Sequence, residues 1–304
     1  MAEQSTQSFR PSEWALRDTH QLLLGAVSPR PIAFVSTLDA QGQPNLAPFS
    51  WFNVVSAKPP ILVFSPARRG RDNTTKHTYD NLTQLGECTV NVVSYPMTQQ
   101  MVLTSTEYPE QIDEFEKGGF TKAPSQEVKP PRVGESPVQF ECRVRDIVNY
   151  AEEGGAGNIV LAEVVRVHFH TAVMGEDGRI DPHRIDPIGR LGKNFYTRAR
   201  EGLFTTANPP GNDNLGFDGL PAPVRHSRVL TGNELAQLAR IPALPGTERI
   251  HEARGLFQLE ALREQHADDA QAFEDALHEK IRPLIAADML EPAWAVLLNG
   301  GSGK

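Results

Sequence analysis

The sequence predicts a mainly β protein with flanking helices and a helical C-terminal extension, and three observations predict it. Apolar, β-branched runs at 32–37, 61–65 and 88–94 are separated by turn-forming stretches, which is the pattern of short strands. Residues 138–148 and 158–170 alternate as two longer strands around a connection containing Gly154, Gly155 and Gly157, a hairpin by composition. Beyond Thr205 the periodicity changes: 233–239 and 259–289 read as helices, and Phe273, Leu277, Ile281 and Ile285 form an apolar stripe in the second. That stripe is expected to pack on the β body or on a second subunit.

Composition narrows the function classes. The chain has 304 residues, long enough for one large domain or a domain plus an extension. We place the boundary at 205, with 206–304 as linker and extension; the linker begins with Asn208, Pro209, Pro210 and Gly211. A formal net charge of −8 argues against a general nucleic-acid surface, so any anion site must be local. No apolar run approaches the roughly 20 residues needed to cross a bilayer, and the N-terminus lacks the order of a signal peptide. A cytoplasmic protein is expected. Cys88 and Cys142 both lie in apolar strand segments and read as buried small hydrophobes rather than a disulfide.

Taken in order, residues 1–20 are polar and read as an arm that packs only in part. Residues 32–37 are apolar up to Ser36, as in a strand buried on both faces. The Asp39–Gln43 connection is a hairpin turn, because Gly42 can adopt positive φ, and it returns the chain antiparallel along 44–55. Pro48 cannot donate to a ladder, so a bulged or irregular edge is expected there. Such a kink exposes backbone polar groups beside aromatic rings, a surface suited to the polar edge of a flat heterocycle.

The loop at 66–76 carries Arg68, Arg69, Arg71 and Lys76 together with Thr74 and Thr75, and runs into a helix ending near Leu85. N–H groups, hydroxyls and positive charge at a helix start are what a phosphate requires. No GxxxxGK[ST] motif is present, the terminal GGSGK has no helix after it, and Gly155–Gly157 is a turn rather than a dinucleotide fingerprint. His168 and His170 share a strand face, but no second histidine strand accompanies them, and no metal is expected. The acidic stretch 107–119 reads as a solvated lobe.

The order PRPIAFVST, NLAPFSWFN, ILVFSP, arginine-rich loop and KHTYDN resembles the flavin reductase-like, FMN-binding split-barrel family of the flavoredoxin type. Lys76, Thr78 and Asn81 match its Lys-Asp-Thr-x-x-Asn signature, residues 47–53 match its Ala-Pro-Phe-Ser segment, and Arg71 matches the loop arginine. His77 replaces the usual aspartate. The late Arg-Leu-Gly run makes Arg190, Asn194 and Tyr196 pocket candidates, and the resemblance ends near residue 205, covering about two-thirds of the chain.

The resemblance implies a six-stranded antiparallel Greek-key split barrel and a homodimer. It implies FMN, with phosphate on Arg71, Lys76 and Thr78 and with Ser65 and Arg68 as lesser contacts. Thr37, Pro48, Phe49, Ser50, Phe52 and Asn53 would lie along the ring and ribityl chain. It also implies NAD(P)H as electron donor, with hydride passing from nicotinamide to flavin and electrons onward to free flavin, a metal ion, oxygen or a partner oxygenase. The cofactors carry that chemistry, so no catalytic acid or base is named. Two alternatives stay open: a flavin-binding electron carrier without NAD(P)H turnover, and a dedicated flavoenzyme acting on a small organic substrate.

Overall fold

A computed structural model describes residues 5–207 and 214–299. It divides into two units, Met1–Phe204 and Thr205–Lys304, each described by itself. The linker expected from residue 208 lies, up to residue 213, outside the described residues, as does the terminal GGSGK.

In the first unit, strands β1 (Ala33–Leu38), β2 (Pro44–Phe49), β3 (Phe52–Ala57), β4 (Pro60–Phe64), β5 (Glu87–Val92), β6 (Val138–Asn149) and β7 (Asn158–Phe169) form one sheet of order β2-β1-β5-β6-β7-β4-β3. Every neighbouring pair is antiparallel. The sheet therefore has seven strands, not six, and among the described residues no ladder closes it into a barrel. The strand expected over 44–55 stays in register with β1 through Pro48 and Phe49 and breaks at Ser50–Trp51, so that its halves pair with β1 and β4 respectively, and the irregularity expected at Pro48 falls instead at this break and at a register shift between Val54 and Ser56. The two edge strands are thus separated by Ser50 and Trp51 alone. The three Cα steps from Phe49 to Phe52 span at most about 11 Å, so the sheet has to curl until its edges come close together.

Both faces of β1 are buried, as its apolar run implies. Ala33 and Val35 join Phe64, Val90 and Val160 in one cluster, while Phe34 joins Met97, Met101, Phe115 and Phe120 in another. Cys88 and Cys142 stand opposite each other on β5 and β6 as buried free thiols. The β1–β2 hairpin turns at Gly42, whose φ is +83°, and the Asp39 carboxylate accepts from the N–H groups of Gln41 and Gln43 at 2.8 and 2.7 Å.

Residues within the N-terminal arm form a helix, α1 (Leu16–Ala26), none of which is buried, in keeping with an arm that packs only in part. One sequence reading changes: the supposed solvated lobe buries Glu114, Phe115 and Gly118 in a short helix, Glu114–Gly118. In that lobe the apolar residues are too few and too interrupted by charge to register as a periodic face; Phe34, Met97 and Met101, distant in sequence, complete the packing around Phe115.

The second unit is helical, with helices Gly232–Leu238, Thr247–Leu256, Leu259–Gln265, Ala270–Ala286 and Leu290–Leu297. The helix expected over 259–289 is two helices, because Asp269 caps a new start by accepting from Ala272 N–H at 2.9 Å. Its stripe of Phe273, Leu277, Ile281 and Ile285 fills this unit's own core with Trp294 and Leu238, which corrects the expectation that it covers the β body or a partner. Trp294 is fully buried, and its indole N–H donates to Leu238 O at 2.9 Å. Among the described residues, no helix is long and apolar enough to cross a membrane.

Candidate active site

A cleft of about 920 Å³ opens in the first unit between the β2–β3 break, the 66–76 loop, α1 and the 104–108 segment. Its size suits a small cofactor, since ligand pockets are commonly about 300–1,000 Å³.

One end is built for an anion. Helix α2 (His77–Leu85) starts at the cleft, and no side chain caps its first turn, so its leading N–H groups are left available to a ligand. The helix is docked by two buried hydrogen bonds: Asn45 of β2 donates to Thr78 Oγ1 at 2.9 Å, and Asn81 donates to Thr37 Oγ1 of β1 at 3.0 Å. The signature threonine and asparagine thus hold the helix start against the sheet.

Cations converge beside it. Arg69 Nε and Lys76 Nζ lie 3.1 and 3.2 Å from Glu107 Oε1, and Arg71 Nη2 lies 2.5 Å from Glu107 Oε2. Burial alone would raise the Glu107 carboxyl, but the Lys76 ammonium and Arg69 guanidinium outweigh it and hold it below the usual carboxylate range. Arg68 is occupied differently, its guanidinium clamping Asn73 Oδ1 and O, each at 2.7 Å. The loop then leans on the β6–β7 hairpin through Arg68 N–H to Ala156 O at 3.0 Å and Gly155 N–H to Arg68 O at 3.1 Å. Glycine is required in that hairpin: Gly155 has φ +88°, and a Cβ there would meet Leu16 at 2.9 Å.

The other end is flatter and more apolar. Pro48, Phe49, Ser50 and Trp51 line it from the strand break, and Leu16, Arg17, His20 and Leu24 of α1 face them. The His20 and Trp51 rings stand 6.0 Å apart. Arg30, 6% exposed, ties these pieces together: its Nη1 donates to Leu24 O and Val27 O, both at 2.6 Å, and its Nε lies 3.4 Å from Ser50 Oγ. A cation on the last carbonyls of α1 is a favourable cap. Between the two ends, Ser65 Oγ is buried without a hydrogen-bond partner and lines the cleft, a donor left for a ligand. Glu114 lines it too; its carboxyl accepts from Leu46 N–H at 3.0 Å, and burial raises its pKa.

Of the residues singled out in the sequence, the structure brings Pro48, Phe49, Ser50, Ser65, Arg68, Arg71, Lys76 and Thr78 to this cleft. Thr37 is fully buried behind it, holding Asn81. Phe52 packs into the sheet core, and Asn53 is exposed on β3 with its Oδ1 accepting from Val54 N–H at 2.8 Å. Arg190 stacks over Tyr196, 4.5 Å from the ring centroid, and Asn194 is exposed nearby; none of these three lines the cleft. Sequence reasoning named Arg69 and Trp51 only within the 66–76 loop and the 47–53 segment, and missed Asn45, Glu107, Glu114 and the α1 residues. Only α1 carried a local signal, with Leu16, His20 and Leu24 at i, i+4 and i+8.

The chain belongs to the flavin reductase like domain family, whose model matches residues 25–182. Among solved structures it is similar to nitrilotriacetate monooxygenase component B from Bacillus cereus, at 28% identity and TM-score 0.62 over 68% of this chain and 100% of that one. It is also similar to a 2-nitrobenzoate 2-nitroreductase from Pseudomonas fluorescens, at 28% identity and TM-score 0.57 over 66% of this chain and 96% of the other. A flavin-reductase-type protein with a split barrel domain from Shewanella frigidimarina, at 24% identity and TM-score 0.56 over 67% and 99% of the two chains, shares the fold. All three likenesses cover about two-thirds of this chain.

Proposed function

We propose that the protein is a cytoplasmic FMN-dependent oxidoreductase that uses NAD(P)H as donor, acting as a homodimer. The observation that carries this reading is the pairing, in one cleft, of a cationic, uncapped helix start with an aromatic strand break, joined by the unpartnered Ser65 hydroxyl. These residues fit a flat heterocycle that ends in a phosphate. Arg71, Lys76, Arg69 and the first turn of α2 would hold the phosphate, Ser65 the polar chain, and Pro48–Trp51 the ring edge. Bound FMN supplies hydride acceptance and onward electron transfer. The chain's own part is to orient the ring, to keep water from one face with α1, and to hold Ser50 through Arg30. Support for the dimer comes from the edge strand β3, where Val54 and Val55 are 64% and 57% exposed beside an apolar groove reaching Val167.

The test is anaerobic stopped-flow of FMN-loaded protein with NADH and with NADPH. Bleaching of the flavin absorbance at turnover rates, commonly about 1–1,000 per second, is the expected result. No bleaching with either donor overturns the reductase assignment, and retention of FMN without bleaching favours an electron carrier. The nitroreductase among the structural neighbours favours a second reading, direct reduction of a small organic substrate; the monooxygenase component favours delivery to a partner oxygenase. Steady-state rates with a nitroarene and with free flavin as acceptors separate the two.

A further inference from the structure

We propose that Glu107 is an internal competitor for the phosphate cradle, occupying its three cations until a ligand ending in a phosphate monoester displaces it. This rests on the reading of the cleft as a phosphate-binding site. Both Glu107 oxygens are used: Oε1 faces Arg69 Nε at 3.1 Å and Lys76 Nζ at 3.2 Å, and Oε2 faces Arg71 Nη2 at 2.5 Å. Three cationic donors closing on one small anion is the arrangement a terminal phosphate itself demands. A carboxylate and a phosphate cannot occupy it together, because two anions a few ångströms apart repel. Entry of a phosphate therefore displaces Glu107. A dianion gains more from three cations than a monoanionic carboxylate does, so it wins the exchange; a flavin without a phosphate has nothing to offer the cradle and leaves Glu107 in place.

The segment carrying Glu107 is suited to such an exchange. The backbone bonds of Thr104, Ser105, Thr106 and Tyr108 run only to residues two or three positions earlier. Among the described residues, the Glu107 side chain is tied to the 66–76 loop by those three cations, and it is one-third exposed. Arg71 and Lys76 are long side chains, 70% and 33% exposed, whose heads can turn to a new anion without moving the backbone, while Arg69, its Nη1 held by Thr74 Oγ1 at 3.0 Å and by Thr75 O, presents its Nε from a fixed position. The lowered carboxyl pKa keeps Glu107 charged through the neutral range, so the competition holds at any physiological pH.

The experiment titrates wild type, Glu107→Gln and, as a control of equal charge change outside the cradle, Glu110→Gln. The probes are FMN and riboflavin, followed by flavin fluorescence, and inorganic pyrophosphate, followed by calorimetry. Glu107→Gln should tighten FMN about tenfold, the size of one charge-assisted contact regained, and leave riboflavin unchanged. Glu110→Gln should change FMN affinity less than about twofold, because an exposed charge outside the cradle is screened. Unchanged or weaker FMN binding by Glu107→Gln overturns the proposal, since Glu107 then holds the cations in place instead of competing. An equal gain in Glu110→Gln overturns it as well. If wild type binds no FMN but Glu107→Gln strengthens pyrophosphate, the flavin reading fails while the role of Glu107 stands; if pyrophosphate is not strengthened either, both fall.

Discussion

Two carboxylates of the first unit show how burial and donor type separate a structural charge from a functional one. Glu141, on β6, is fully buried, and its oxygens accept from the backbone N–H groups of Gln126, Glu127 and Val128 at 2.6–3.1 Å while His168 Nε2 lies 2.6 Å away. Glu107 is one-third exposed, and two of its three cationic partners, Arg71 and Lys76, are themselves exposed or partly exposed. The donors around Glu141 belong to a backbone that cannot turn elsewhere, so its charge fastens the 126–128 segment to the sheet. Arg71 and Lys76 can turn to another anion. Burying a charge is tolerated only when every donor is fixed and used, whereas a binding site needs donors that are available. His168, read from sequence as half of a possible metal pair, belongs to the first kind of cluster.

The largest test of this contrast is stability. Glu141→Ala should cost about 3 kcal/mol, because the Val128 N–H would be left buried and unpaired while the part-buried N–H groups of Gln126 and Glu127 and the His168 ring lose their acceptor; Glu107→Gln should stay within about 0.5 kcal/mol. Urea unfolding of both variants makes the comparison, and equal losses would break it. Acid should act on the same carboxylate. Burial would raise the Glu141 carboxyl, but its backbone donors and His168 outweigh that and lower it. A carboxyl lowered by folding contributes stability above its unfolded pKa of about 4.3, and that stability is lost as pH falls through the folded value. The wild type should therefore lose stability below about pH 4 more steeply than Glu141→Ala. Parallel curves would show that Glu141 is not the group titrating.

Smaller effects sharpen the functional side. Lys76→Ala should weaken FMN by about tenfold or more with little change in melting temperature, the reverse of Glu141→Ala. Unchanged affinity would take Lys76 out of the site. In the second unit, Thr231 and Glu234 form a capping box at the start of Gly232–Leu238, and Arg282 joins them, holding the Glu234 carboxyl at about 2. Thr231→Ala should cost about 1 kcal/mol, read by thermal unfolding, and leave flavin binding untouched.

Much of the site was legible in the residues. The 66–76 loop, the placing of Pro48 on an edge strand and the Lys76, Thr78 and Asn81 signature all rest on local chemistry: proline cannot donate to a ladder and cations gather before a helix. Glu107 carried no such mark, because the cations that define it lie 31–38 positions away and nothing in its own neighbourhood reports them. The same holds for Glu114, whose partner Leu46 is 68 positions distant.

The sequence by itself therefore determined the elements with a short-range period or a turn: β1 buried on both faces, the Gly42 hairpin, the long β6–β7 pair and the 66–76 loop. Only the tertiary structure decided that residues 44–57 break into opposite edges of a seven-stranded sheet, that the apolar stripe of Ala270–Ala286 closes its own unit, and that Thr37 fastens a helix from behind the cleft. The physical reason is range. Turn preference and side-chain alternation act within a few residues, whereas strand pairing, burial and the meeting of unlike charges depend on which distant segments the chain brings together.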